Sequence, residues 1–208
     1  MTDIHSRIIA AAAKNELAPL GFRQQGRSRL WLADRGSWLN VVEFTPSRWS
    51  RSVSLNNAAH WLWVGAGFMN FNELVPSRLH AEFETGEQFA EAAREIAQAA
   101  QVNARLLDER FPSFDAVADF VIKRAESSPD RMGPSWWGYE AAIAAGLLGR
   151  SDESRGFLHG LTDDRVASRA ARLLPLIGKL YAFRSVVNTT VAEERARLKL
   201  AALEQPAF

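Results

Sequence analysis

The chain has 208 residues, 47% apolar and 24% charged, with a net charge of +1 and no cysteine. That length supports one sizeable domain or two small ones around a buried core. The missing cysteines exclude a disulfide scaffold, thiol chemistry and Cys-ligated zinc, and so small a net charge gives no global field for nucleic acid. No apolar run approaches the roughly 18 residues of a membrane-spanning helix. Met1 to Lys14 carries no apolar block of the signal-peptide kind, so a cytoplasmic protein with no membrane partner is expected.

Residues 2–18 place Ile4, Ile8, Ala12 and Leu17 near one helical face, with Ile9 and Ala13 beside them. Thr2 is positioned to cap this helix; Pro19 and Gly21 stop it. Phe22 to Gln25 is a short extended piece. Leu30 and Leu32 then alternate with Arg29 and Trp31, and Asp34-Arg35-Gly36-Ser37 reads as a tight turn. Ser37 to Thr45 is the strongest strand. Leu39 and Val41 share one face, Trp38, Val42 and Phe44 the other, so a central strand covered on both sides is expected. Glu43 is the exception and needs a partner or a solvent edge. Pro46-Ser47-Arg48 ends this strand. Arg51 to Asn56 and Ala59 to Val64 give two further strands, the second with Trp61 and Trp63 on one face. Short connections make neighbouring strands antiparallel. Arg78 to Glu84 adds one more.

From Thr85 the period becomes helical. Thr85-Gly86-Glu87-Gln88 is a capping box. Phe89, Ala92, Ile96, Ala100, Val102 and Leu106 then mark a helix to about Arg110. Ser113 caps a short helix to about Ala125. Ser127 to Ser135, with Pro129, Gly133 and Pro134, reads as the boundary linker. Trp136 to Leu148 is a third helix whose small residues suit close helix packing. Ser151 and Thr162 cap two more, and Pro175 ends the latter. Ile177 to Leu200 is largely helical, with Gly178 in its interior. Its charged segment Glu193 to Arg197 reads as a solvated face, and Gln205 to Phe208 is expected to fray. The expected fold is therefore α+β: an antiparallel four- to five-stranded sheet packed on helices over residues 1–126, and a helical segment or small helical domain over residues 134–208.

Several of these pieces occur in a familiar order. Leu17-Ala18-Pro19-Leu20-Gly21-Phe22-Arg23 leads into Gly26-Arg27 and Leu30-Trp31. Leu39-Asn40-Val41-Val42-Glu43-Phe44 and Ser47-Arg48-Trp49 come next, then Leu55-Asn56 and Arg78-Leu79. Over about residues 4–83 this order resembles the bacterial domain of unknown function family numbered 4304. The resemblance implies an α+β fold with an antiparallel sheet and no particular activity. The glutamine common before the Ser-x-Trp turn in that family is replaced by Thr45-Pro46.

Residues 1–81 hold nine Lys/Arg and five Asp/Glu, a balance of +4; residues 82–208 hold sixteen and nineteen, a balance of −3. Arg outnumbers Lys by 21 to 4 throughout, so the arginines near the tryptophans are either a binding feature or a habit of composition. The candidate binding residues are Arg48, Trp49 and Arg51 in the Pro46 turn, with Arg29, Trp31, Trp61 and Trp63 on the neighbouring strands. An arginine beside an aromatic in a rigid turn is a frequent interface composition. The bland alternative tucks Trp49 into the core and pairs Arg48 with Glu43. His60 and His80 with Glu43 or Glu82 would make a metal site only if the fold gathered them. No metal-binding motif, phosphate loop or nucleophile elbow is present, so no catalytic residue, metal or cofactor is assigned. Three functional readings remain. The first is a non-enzymatic protein-binding module; immunity-like, toxin-neutralising bacterial proteins offer an analogy of class. The second is a nucleic-acid or nucleotide binder stacking bases on Trp31, Trp61 and Trp63, with Arg27, Arg29 and Arg51 on phosphates. The third is a hydrolase of unrecognised type.

Overall fold

The computed structural model describes residues 4–47 and 52–208. The fold is α+β, and the chain divides into a sheet unit (Met1–Trp61 and Phe68–Arg110) and a helical unit (Leu62–Gly67 and Phe111–Phe208). This division falls after Arg110 rather than within 127–135, and Leu62–Gly67 go with the helices. The residues read as a linker instead enclose a short helix, Pro129–Met132. No described helix is long and apolar enough to cross a membrane.

In the sheet unit, helix α1 (Ile4–Leu17) buries Ile9, Ala12, Ala13 and Leu17. Five strands follow in the order β1 (Arg23–Gln24), β2 (Leu30–Asp34), β3 (Trp38–Pro46), β4 (Ser52–Trp61) and β5 (Glu73–Val75); β6 (His80–Glu82) also pairs with β4. Every pairing is antiparallel. The β2–β3 turn closes where expected, with Gly36 at φ 80° and its amide donating to Asp34 Oδ1 at 2.9 Å. A positive φ suits glycine because it has no Cβ to clash. The two strands expected between Arg51 and Val64 are a single strand, since Ser52–Trp61 pairs with β3 without interruption. Leu62–Val64 then tightens into a 3-10 turn.

One sheet face carries Trp31, Val42, Phe44, Val53, Leu55 and Ala81 into a core with α1 and with α2 (Gly86–Arg110). Thr85 Oγ1 accepts from the Gln88 amide at 3.2 Å, so Thr85 caps α2 as expected, while Gln88 Oε1 reaches one residue further back, to the Glu84 amide at 3.3 Å. Ile96 and Ala100 are buried, whereas Val102 and Leu106, expected on the same face, are exposed; Ala104 and Leu107 take the inward positions. Two buried asparagines pin α2 to this face. Asn40 Nδ2 donates to Ala104 O at 2.8 Å and Asn57 Nδ2 to Ala100 O at 3.0 Å. On the opposite face Leu39, Val41, Ala58 and His60 are buried, so the two-sided character expected of β3 holds over its first half.

In the helical unit, α3 (Phe114–Glu126) is capped by Ser113, α4 is Pro129–Met132, and α5 (Trp136–Leu147) is capped by Ser135. They are followed by α6 (Ser151–His159), α7 (Asp164–Leu173) and α8 (Leu180–Arg197). Asp163 rather than Thr162 caps α7, its carboxylate accepting from the Arg165 amide at 2.9 Å. Gly178 lies outside α8 at φ 86°, in a turn rather than a helix interior. Gly146 has the expected packing role: a Cβ there would overlap the Phe183 ring of α8.

Burial pushes the Tyr139 phenol up to about 12, against the opposing pull of Arg169 and Arg172. An unfolded chain releases this proton near pH 10. The folded chain thus keeps a proton that the unfolded chain loses, and the stability present below pH 10 drains away as pH rises towards 12. The expected loss is about 3 kcal/mol over that window. Tyr139→Phe should flatten the alkaline decline by about that amount, read by urea unfolding at the two pH values.

Candidate functional site

Of the candidate binding residues, the structure describes Arg29, Trp31, Trp61 and Trp63. Arg48, Trp49 and Arg51 lie outside the described residues, as does the proposed cap Thr2. Trp31 sits in the core between sheet and helices. Arg29 reaches the same side of the sheet, donating to His5 Nδ1 at 3.1 Å and Ser6 Oγ at 3.0 Å. Trp61 is 0% exposed and meets Trp38 edge-on at 5.9 Å. Trp63 is buried in the helical unit against Phe114. The expectation that Trp61 and Trp63 share one strand face is corrected, because the chain leaves the extended conformation at Leu62. Buried indoles offer no face to a base, so none of these three is a stacking platform.

The histidines also separate. His80 pairs with Ser54, and His60 lies six residues further along the same strand, about 20 Å away at the rise of a strand. His60 is buried, with Nδ1 2.8 Å from Asn70 O. Among the described residues no three His, Cys, Asp or Glu side chains gather as a metal site.

What remains of the candidate region is a polar ledge on the second sheet face, near the end of β3 and the start of β4. Register places Glu43 opposite Leu30 and Asn56, and Ser54 opposite both Thr45 and His80. Alternation puts Glu82 on this side too, since Ala81 faces the core. Glu43 finds the partners its position demanded: Oε2 accepts from Thr45 Oγ1 at 3.0 Å and from Asn56 Nδ2 at 3.3 Å. Asn56 Nδ2 also lies 2.9 Å from Thr45 Oγ1, closing a three-membered cluster across two strands. Ser54, His80 and Glu82 are exposed beside it. Side chains carried by strands and cross-bonded in this way hold their donors and acceptors in fixed directions.

A second concavity lies within the helical unit and was missed in the sequence. Residues 199–208 fold back along α8 as a strap. Arg195 donates from Nε and Nη2 to Ala201 O at 2.9 and 2.6 Å. Asn188 grips Phe208 in both directions, Nδ2 to its carbonyl at 2.9 Å and Oδ1 from its amide at 3.1 Å. The Phe208 ring packs on Phe114 at 4.6 Å. Between strap and helix is a pocket of about 720 Å³. Two expectations are corrected here. Phe208 is tied down rather than frayed, and Glu194 and Arg195 are buried rather than solvated. Glu194 accepts the Gly67 amide and pairs with Arg197.

No family model matches the chain, and neither a curated protein nor a solved structure matches it. A functional reading therefore rests on the structure itself.

Proposed function

We propose that this is a non-enzymatic binding module whose partner is another protein, engaged through the polar ledge of the sheet unit together with Arg48, Trp49 and Arg51. The observation that carries the reading is the cross-bonded Glu43–Thr45–Asn56 cluster with Ser54, His80 and Glu82 exposed around it. Three adjacent strands there offer mixed donors and acceptors on a rigid frame, which suits the polar part of a protein interface. The indoles that would stack bases, Trp31, Trp61 and Trp63, are buried, which argues against nucleic acid.

The test places a photo-crosslinking amino acid at His80, or at exposed Arg94 on α2 as a control, in the protein's native cells. A discrete protein adduct is expected from position 80 alone, and it should vanish when Thr45→Arg is added without a change in melting temperature. Equal adducts from both positions, or an adduct that survives Thr45→Arg, would refute the ledge as the interface. Retention on single-stranded DNA at low salt, lost at moderate salt, would restore the nucleic-acid reading.

A further inference from the structure

We propose that the turn joining α7 to α8 is a docking tip for an anionic lipid bilayer, with Tyr181 and its leucine neighbours entering the headgroup layer and Arg172, Lys179 and Arg184 holding acidic headgroups.

The chain builds an apolar tip here that its own core does not use. α7 ends at Leu173, Leu174–Leu176 tightens into a 3-10 turn around Pro175, and Gly178 at φ 86° leads the chain into α8. Leu173 and Phe183 are buried and anchor the two sides of the turn. Leu174, Leu180 and Tyr181 point outward, 38%, 39% and 89% exposed, and Tyr181 is the most open large apolar side chain among the described residues. A ring left so open contributes almost no burial to folding.

Charge is segregated around this tip. From 165 to 192 the chain has five Lys/Arg and no Asp/Glu. Arg165 is held by Asp163, and Arg169 is turned to Gly65 O and the Trp136 ring. The cations nearest the tip, Arg172, Lys179 and Arg184, are exposed and have no acidic partner among the described residues. Helix α6 brings Ser151 close to Leu180, around a small cavity. The acids that follow Ser151 are already matched, Asp152 by Arg155 and Glu153 by Arg150. Cations without counter-charges around open apolar side chains complement a surface that is anionic outside and apolar beneath.

The size of the tip favours a bilayer over a protein. The exposed parts of the three side chains come to about 330 Å², taking roughly 200 Å² for a large side chain. A stable protein interface takes about 800 Å² from each partner, with a matching contour. A bilayer asks for no matching contour: short apolar projections enter the interface, a tyrosine sits at headgroup level, and Lys and Arg stay at the charged surface. The lack of a spanning helix does not bear on this mode, because a surface-bound protein needs none.

The test is sedimentation of the full chain with phosphatidylcholine vesicles containing about 30% phosphatidylserine, compared with vesicles of phosphatidylcholine alone. Binding at least about tenfold tighter to the anionic vesicles is expected. Tyr181→Ser, with an unchanged melting temperature, should weaken it about fivefold. Arg172→Gln with Lys179→Gln should weaken it about twentyfold and change binding to phosphatidylcholine less than about twofold. The chain has no cysteine, so Tyr181→Cys carries a single environment-sensitive dye. Its emission should shift to the blue on anionic vesicles, whereas a dye at Glu193→Cys, about 18 Å further along α8, should not respond. The proposal is overturned by no binding, by equal binding to the two kinds of vesicle, by binding indifferent to Tyr181→Ser, or by equal responses from positions 181 and 193. It is equally overturned if polyglutamate shifts the dye at 181 saturably and anionic vesicles do not, which would make the tip a seat for an acidic protein.

Discussion

Arg124→Met should destabilise the protein by about 3–5 kcal/mol, measured by chemical denaturation. Arg124 Nη2 lies 2.5 Å from Glu140 Oε2, with side-chain exposures of 12% and 2%. Its guanidinium also lies over the rings of Phe120, at 4.9 Å, and Trp137, at 4.8 Å. A methionine would preserve much of the packing volume and remove the charge. The Glu140 carboxylate would then stand in a site closed to water, obliged either to stay charged without its cation or to take up a proton. Either course is expensive in a low-dielectric interior. The double variant Arg124→Met with Glu140→Leu removes both charges and should recover to within about 1 kcal/mol of the parent, because two desolvation penalties vanish along with the attraction. A single variant that costs less than about 1 kcal/mol would show that water reaches the pair. Arg155→Met supplies the contrast: its partner Asp152 is fully exposed, and a change within about 0.5 kcal/mol is expected.

The sheet unit was legible wherever a local rule acts alone. The two-residue alternation of Ser37 to Thr45, the Asp-Arg-Gly turn and the Thr85 cap of α2 each specify their geometry within a few residues, and each formed as read. Illegible features depend on partners distant in sequence. The density of proline and glycine over 127–135 marks a turn in the chain, but which core a helix joins is decided by side chains elsewhere, as Phe114 shows by packing on Trp63 and Phe208. The charges of Glu193 to Arg197 resemble a solvated face because pattern counts charge without knowing what will meet it. Glu194 is buried because the Gly67 amide needs an acceptor, a demand that arises 127 residues away. The strap escaped for the same reason: residues 199–208 have no periodicity, and their order comes from Asn188 and Arg195 reaching over from α8. The ledge was half legible. Glu43 announced that it required a partner, but only strand register could name Asn56.

Trp63→Ala should cost about 3–5 kcal/mol. The indole is 1% exposed and meets the Phe114 ring edge-on at 5.9 Å and 86°. Truncation would remove most of a large apolar side chain and leave a void that the surrounding helices close only in part. The two arrangements of this residue make opposite forecasts. An indole on an open strand face, as alternation with Trp61 suggests, would yield a change within about 0.5 kcal/mol. The 3-10 turn at Leu62–Val64 swings it inward and makes it part of the helical core. A double-mutant cycle with Phe114→Ala separates the contact from general burial, since an aromatic pair in contact couples by about 0.5–1.5 kcal/mol beyond the area it buries. Additive losses would mean that the two rings do not touch in solution. A coupled loss would fix the point at which the chain passes from strand to helical core, and with it the reason that Trp63 cannot take part in any stacking surface.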